Sequence, residues 1–153
     1  MDGSISACPD PGALARAVGA SMFERDRASR SLGMRLIDID PGGATMEMAV
    51  REDMLNGHGT CQGGFIFALA DSAFAFACNS YNRNTVASGC AIDYLAPAFV
   101  GERLTAHARE VSRAGRTGVY DITVSNQKGA KIAVFRGRSY EIKGAVTDTS
   151  DQA

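Results

Sequence analysis

Residues 65–80 read FIFALADSAFAFACNS, a segment in which a single charge, Asp71, interrupts an otherwise apolar run. The run is too long for an ordinary strand, and its alanines favour a helix. Its apolar residues lie all round the helical wheel, so the helix has to be buried on most sides. At 1.5 Å per residue the apolar part spans about 21 Å, short of a bilayer core of about 30 Å. Other elements must therefore enclose this helix in water. They must also accommodate a carboxylate half-way along it, because an unpaired buried charge is costly.

The rest of the chain is rich in strand signals. In LGMRLIDIDPGGATMEMAVR (32–51), two runs flank the turn signal Asp40-Pro41-Gly42-Gly43. Met34, Leu36 and Ile39 mark the first run; Ala44, Met46, Met48 and Val50 alternate with Thr45 and Glu47 in the second, the pattern of a β-hairpin. A loop rich in Asn, Gly and Thr covers 54–64 and leads into the apolar helix. Beyond SYNRN (80–84), strand patterns run over 85–95, 102–112, 117–126 and 131–143. The connections around Pro97 and Gly101, RAGR (113–116) and QKGA (127–130) are of hairpin length, so the sheet should be largely antiparallel. Arg136 and Arg138 share a face with Ile132 and Val134, which calls for a bulge near Gly137 or for arginines at the sheet end. Near the N-terminus a helix is expected over 11–29, with Asp10 as cap, Pro11 at the first position and Gly33 beyond its end.

A chain of 153 residues suits one domain with a real core. The expected organisation is a helical segment at 1–30, the main domain at 31–144 and a frayed polar tail at 145–153. The class is α+β: an antiparallel sheet of five to six strands wrapped around a long central helix at about 64–80, with a second helix at the N-terminus. A sheet wrapped around a central helix is the hotdog arrangement.

Composition excludes several roles. With 22% charged residues and a net charge of −1, the chain has no global basic field for nucleic acid. Cys8, Cys61, Cys78 and Cys90 form no CxxC pair and read as reduced thiols. The two histidines, His58 and His107, leave no second pair with metal-ligand spacing, so no metal is expected. MDGSISACPDPGALARAV has no basic stretch followed by an apolar run, and the cytoplasm is the expected location, with no membrane partner.

The chemistry concentrates in LNGHGTCQGGFIFALAD (55–71). Gly63-Gly64 stands at the helix start, where unpaired backbone N–H groups and the positive end of the helix dipole suit a developing oxyanion; a tight turn alone would also explain the pair. Asp71 lies eight residues on, about 12 Å along the axis. It is either a structural carboxylate paired with an arginine or helix end, or a general base or nucleophile. If both features are catalytic, one helix cannot bring them to one carbonyl. Two antiparallel helices in a two-fold dimer can, with two composite sites. Asn56 reads as a turn residue or a hydrogen-bonding group near the helix start, Gln62 as a loop amide or a neutral donor and acceptor. His58, Cys61 and Cys78 have no partner spacing that makes them catalysts.

At these residues the chain resembles the hotdog-fold acyl-CoA thioesterases of the phenylacetate-degradation (PaaI-type) group. The resemblance spans about 28–144. It rests on MLNGHGTCQGGFIFALADSAFAFACNS, ASGCAIDYLAPA, GRTGVYDITVSNQ and FRGRSYEIKG in that order. It implies hydrolysis of an acyl-CoA, with an aryl- or hydroxyarylacetyl group favoured and no cofactor, coenzyme A being part of the substrate. Asp71 matches the catalytic carboxylate, Gly63 the glycine whose N–H polarises the thioester carbonyl, and Asn56 the asparagine that positions water or the carbonyl. Relatives usually carry His before the paired glycines; Gln62 keeps a hydrogen bond there but cannot shuttle a proton at neutral pH. For the coenzyme A moiety, Arg113, Gly115, Arg116, Thr117 and Gly118 match one contact loop. Tyr94, Leu95, Ala96 and Pro97 match a stretch along the pantetheine arm, and Arg138 with Ser139 lies near a third; Ser88 is a hydroxyl candidate close to the carboxylate. Phe65, Phe67, Leu69, Ala73, Phe74 and the strand at 85–89 are candidates to line the acyl pocket. The resemblance further implies a homodimer with composite sites that pairs into a tetramer. A non-hydrolytic acyl-CoA-binding hotdog module and a hotdog hydratase or dehydratase are the competing readings.

Overall fold

The computed structural model describes residues 10–148. Its centre is α3 (Gly63–Asn79), the apolar run of the sequence, and six strands form one antiparallel sheet around it. These are β1 (Arg35–Asp40), β2 (Gly43–Ala49), β3 (Thr85–Tyr94), β4 (Arg103–Ala114), β5 (Thr117–Ser125) and β6 (Lys131–Glu141). In space they run β1-β2-β4-β5-β6-β3, so β1 and β3 are the sheet edges. This is the hotdog fold.

The sheet curls because it is bulged. Register shifts leave one extra residue in each of four strands: Ile37 in β1, Ser88 in β3, Val111 in β4 and Ile132 in β6. A bulge bends its strand and increases the local twist, and four of them turn a flat ladder into a wrap. The bulge in β6 also resolves the arginine problem. It falls at Ile132, not at Gly137, and lets Ile132 and Ala133 both be buried. From there Phe135, Gly137 and Ser139 face α3, while Val134, Arg136 and Arg138 face outward.

Inside the wrap, Ile66, Leu69, Ala70, Ala73, Phe74, Phe76 and Ala77 of α3 meet Met46, Met48, Leu104, Tyr120, Ile122 and Phe135 of the sheet. Phe74 packs 5.5 Å from the Tyr120 ring and 6.1 Å from that of Phe135. Gly137 faces Phe74 directly; a Cβ there would come within 2.8 Å of the ring.

The expected single N-terminal helix is two: α1 (Pro11–Arg25) and α2 (Arg27–Ser31). Asp26 breaks it because its carboxylate caps the second piece, accepting from Ser29 N at 2.9 Å and Ser29 Oγ at 2.6 Å. Ser29 Oγ in turn lies 2.9 Å from Ser72 Oγ, fastening α2 to α3, and Gly19 brings α1 against Leu36 and Ile39 of β1. α1 thus packs against Leu36 and Ile39 while four of the six β1 residues stay exposed, and the edge at β3 is exposed as well. Part of the expected frayed tail is docked: Thr147 exchanges two hydrogen bonds with the Asn82 side chain, and Arg25 donates to Val146 O. Residues 149–153 and Cys8 lie outside the described residues. No helix among the described residues is long and apolar enough to cross a membrane.

Candidate active site

The loop before α3 folds on Asn56. Its Oδ1 accepts from His58 N at 2.9 Å and Thr60 N at 3.3 Å, its backbone N–H donates to Thr60 O, and Leu55 bridges to Cys61. Within one subunit Asn56 thus behaves as a turn residue, and His58 is exposed at the loop tip. Gln62 is the N-cap of α3, tied by its N–H to Met54 O at 2.8 Å, but its exposed side chain makes no capping bond. The N–H groups of Gly63 and Gly64 have no partner among the described residues, and nothing lies within 4 Å of where a Gly64 side chain would begin. They open beside a groove of about 490 Å³ lined by Thr60, Cys61, Ile66 and 94–97, so Gly63 and the expected pantetheine stretch Tyr94, Leu95, Ala96 and Pro97 share one depression. Tyr94 also donates its hydroxyl to Gly63 O at 2.8 Å.

Asp71 sits two turns along α3, half-buried, with no hydrogen bond or ion pair to any described residue. The structural pairing with an arginine is therefore absent within the subunit. Burial pushes its carboxyl above the ordinary value, and the thiols of Cys78 and Cys90 are raised by burial first and by the Asp71 charge in addition. Cys78 itself is pushed up to about 12, mainly by burial, so it is no nucleophile. Gly64, Ala68, Asp71 and Ala75, spaced to share one side of the helix, are among the positions that the sheet leaves incompletely covered, together with Gly63, Phe65, Phe67 and Ser72. With Cys90 of β3 close enough to feel Asp71, this open side lies towards the uncovered edge strand.

The arginine loop lies elsewhere. Gly115-Arg116 is the tight turn between β4 and β5, with Gly115 at φ 59°. The Arg113 guanidinium lies 3.5 Å from the centroid of the Tyr81 ring and 3.4 Å from Glu110 Oε1. Glu110 also accepts from Tyr81 and from buried Tyr120, at 3.1 and 3.0 Å. This network was not anticipated from the sequence; an inward-facing Glu in the register of Leu104, Ala106 and Ala108 was the available signal. Tyr81 follows the end of α3, so the loop sits at the opposite helix end from Gly63, about 25 Å away for a helix of this length. The crevice that Arg113, Arg116 and Thr117 line here is only about 10 Å³. Arg138 lies over Gly89 on the outer face; Ser88, the bulged residue, donates to Arg138 O at 3.2 Å. Ser139 is buried, its side chain against Gly118. Leu69, Ala73 and Phe74 are core, leaving Phe65 and Phe67 as the half-buried aromatics of the helix start.

Residues 58–133 match the model of the thioesterase superfamily. The Escherichia coli K12 acyl-coenzyme A thioesterase PaaI is 47% identical over 127 residues, 83% of this chain and 91% of that protein. The chain belongs to the thioesterase superfamily, in its PaaI-type branch. The solved E. coli PaaI structure superposes on this thioesterase with a TM-score of 0.88 and 44% identity, covering 89% of this chain and 99% of the other. A single-residue mutant of PaaI from Thermus thermophilus gives 0.74 at 39% identity, covering 76% and 100%. A Streptococcus mutans protein solved with acetyl CoA gives 0.71 at 25% identity, covering 73% and 90%.

Proposed function

We propose that this thioesterase hydrolyses acyl-CoA thioesters, with aryl- or hydroxyarylacetyl-CoA as the favoured class, in a cytoplasmic homodimer that pairs into a tetramer. One observation carries the reading: α3 holds an unpaired, desolvated carboxylate and an open N-terminus on its uncovered side, and the two are about 12 Å apart. Neither can complete a site alone. The uncovered edge β3, with Val86 46% exposed, offers a ladder for its own copy. Antiparallel α3 helices beside that pairing bring Asp71 to the partner's Gly63. The same pairing carries the partner's helix end, and with it the partner's Arg113 turn, about 12 Å past Gly63. The thioester carbonyl then lies at the helix start, the pantetheine arm runs along Tyr94, Leu95, Ala96 and Pro97, and the phosphates approach Arg113 and Arg116 of the other subunit.

In this site Asp71 takes a proton from water, the water oxygen bonds to the carbonyl carbon, and the Gly63 N–H holds the oxyanion. Collapse breaks the C–S bond, and coenzyme A leaves with the proton from Asp71. If the carboxylate attacks directly, the C–S bond breaks, the coenzyme A thiolate leaves and a mixed anhydride forms; water that attacks its Asp71 carbon in H₂¹⁸O labels Asp71 in a single turnover, which the general-base route never does. Asn56 and Gln62 flank the helix start as neutral hydrogen-bonding groups. Neither histidine supports a hydratase: His58 is exposed in its loop and His107 bonds Thr45 at 2.9 Å on the outer sheet face.

The test is thiol release from aryl-, short-, medium- and long-chain acyl-CoA by wild type and Asp71→Asn. The variant should fold and bind substrate but lose at least about a hundredfold in kcat. Comparable turnover by the variant sinks the mechanism. Tight acyl-CoA binding without thiol release by the wild type establishes a binding module instead.

A further inference from the structure

The start of α3 lacks the side-chain cap that normally fixes such a terminus, since Gln62 makes no capping bond. What holds it comes from the sheet. Tyr94, the last residue of β3, donates its hydroxyl to Gly63 O at 2.8 Å. Its ring also closes on the Gly63 backbone so tightly that a Cβ there would lie 2.8 Å from Cζ and 2.9 Å from the hydroxyl oxygen. Tyr94 is 50% exposed, so water could satisfy its hydroxyl. The bond to Gly63 therefore does more than satisfy a buried group.

The bonded carbonyl belongs to the same peptide unit as the Gly64 N–H. A donor on a peptide oxygen polarises the N–H at its other end, and such chains strengthen each member by about 10–30%. Gly64 is exposed, with open space around its Cα and no partner for its N–H. We propose that Tyr94 is a positioning residue that fixes and polarises the Gly63–Gly64 peptide, and that the Gly64 N–H is a second donor to the thioester oxyanion beside that of Gly63. This deepens the thioesterase reading and rests on it, because the carbonyl must sit at this helix start. It also accounts for glycine at 63, where any side chain would expel the ring. The phenol is raised above its ordinary value by burial, so it stays protonated and donating across the physiological range.

Tyr94→Phe removes the hydroxyl and keeps the ring. One oxyanion donor is worth a factor of about 10²–10³, and 10–30% of that in logarithmic terms predicts a two- to eightfold drop in kcat, with the melting temperature lowered by no more than the few degrees that one exposed hydrogen bond is worth. Tyr94→Leu, which also loses the ring contact, should fall further. A purely structural tyrosine would lower the melting temperature and leave kcat alone. The decisive measurement is the infrared carbonyl stretch of ¹³C=O-labelled phenylacetyl-CoA bound to Asp71→Asn, which cannot turn over. That stretch should move to lower frequency on binding, and by less in Asp71→Asn/Tyr94→Phe. An equal shift in both proteins overturns the role of Tyr94 while leaving the thioesterase site intact. Absence of any shift in Asp71→Asn overturns the placement of the carbonyl itself, and the two failures are told apart in one experiment.

Discussion

Gly137→Ala tests whether the wrap is closed against α3. An alanine Cβ would stand 2.8 Å from three atoms of the Phe74 ring, and ordinary contact begins at 3.4 Å, so ring or strand must retreat by about 0.6 Å. Phe74 is 1% exposed and backed by Tyr120 and Phe135, which leaves the ring nowhere to rotate. Overpacking of this kind costs about 1–3 kcal/mol. For a chain of this size each kcal/mol lowers the melting temperature by about 2–4 °C, so a loss of about 2–12 °C is expected. α3 is less tightly covered along Gly64, Ala68, Asp71 and Ala75 than at its core positions, so the helix yields in that direction. Asp71 is less than one turn from Phe74 and moves with it. Since a 1 Å misplacement costs about a hundredfold in rate, a shift of a few tenths of an ångström predicts a kcat lower by about two- to fivefold. Calorimetry and thiol-release kinetics on the purified variant measure both effects. Adding Phe74→Leu to Gly137→Ala should recover part of each. A variant as stable and as fast as the wild type would show that the core around Phe74 is slack and that the helix is not held by it.

The raised Asp71 carboxyl has two consequences of opposite sign. As the base it must be ionised, so kcat/KM should climb with pH through its elevated value, and Asp71→Asn should flatten that limb. For folding, a carboxyl raised above its unfolded value binds its proton more tightly in the native state, so stability is lost as pH rises from the unfolded value through the folded one. Asp71→Asn should therefore gain on wild type progressively as pH rises from the unfolded carboxyl's value through the raised folded one, modestly, because the group is only half-buried; a constant difference across that rise refutes the linkage. Val86→Asp places a charge on the open β3 edge. Sedimentation should then report monomer at concentrations where wild type is a dimer, with activity lost in parallel; a fully active monomer would overturn the composite site.

The apolar run at 65–80 was legible because an all-round hydrophobic helix admits few environments, and the antiparallel strands because alternation and short turns are local signals. The bulges were not. Ile37, Ser88, Val111 and Ile132 look like ordinary strand residues, and each is extra only with respect to its neighbour strand, which no single segment reveals. That is why Gly137 was the expected bulge and Ile132 the observed one. The break at Asp26 was missed for a related reason: its capping bonds to Ser29 compete with a helix that local propensity alone would continue. Among the candidate site residues, Gly63 and Tyr94 through Pro97 share one groove, a meeting that no single segment reveals, whereas Ser139 turned inward once the β6 register was set.

The Arg113 turn shows why site residues read from one chain need not meet in one subunit. Its guanidinium is held by Tyr81 and Glu110 at the far end of α3, so no side-chain rearrangement can carry it to Gly63. The hold on Tyr81 is itself anchored by Tyr120, which is buried in the core and shares Glu110 with it. The turn is thus rigidly tied to the helix end, and the same helix fixes Asp71 part-way to that end. Whatever operation brings Asp71 of one subunit to the helix start of another must bring the Arg113 turn as well, because one rigid element carries both. On the proposed pairing, a carboxylate two turns in and a cationic turn beyond the end would meet the reacting carbonyl and the far end of a long substrate in the order in which a pantetheine thioester presents them, so that the length of α3 would measure the substrate and the β3 edge would supply the symmetry.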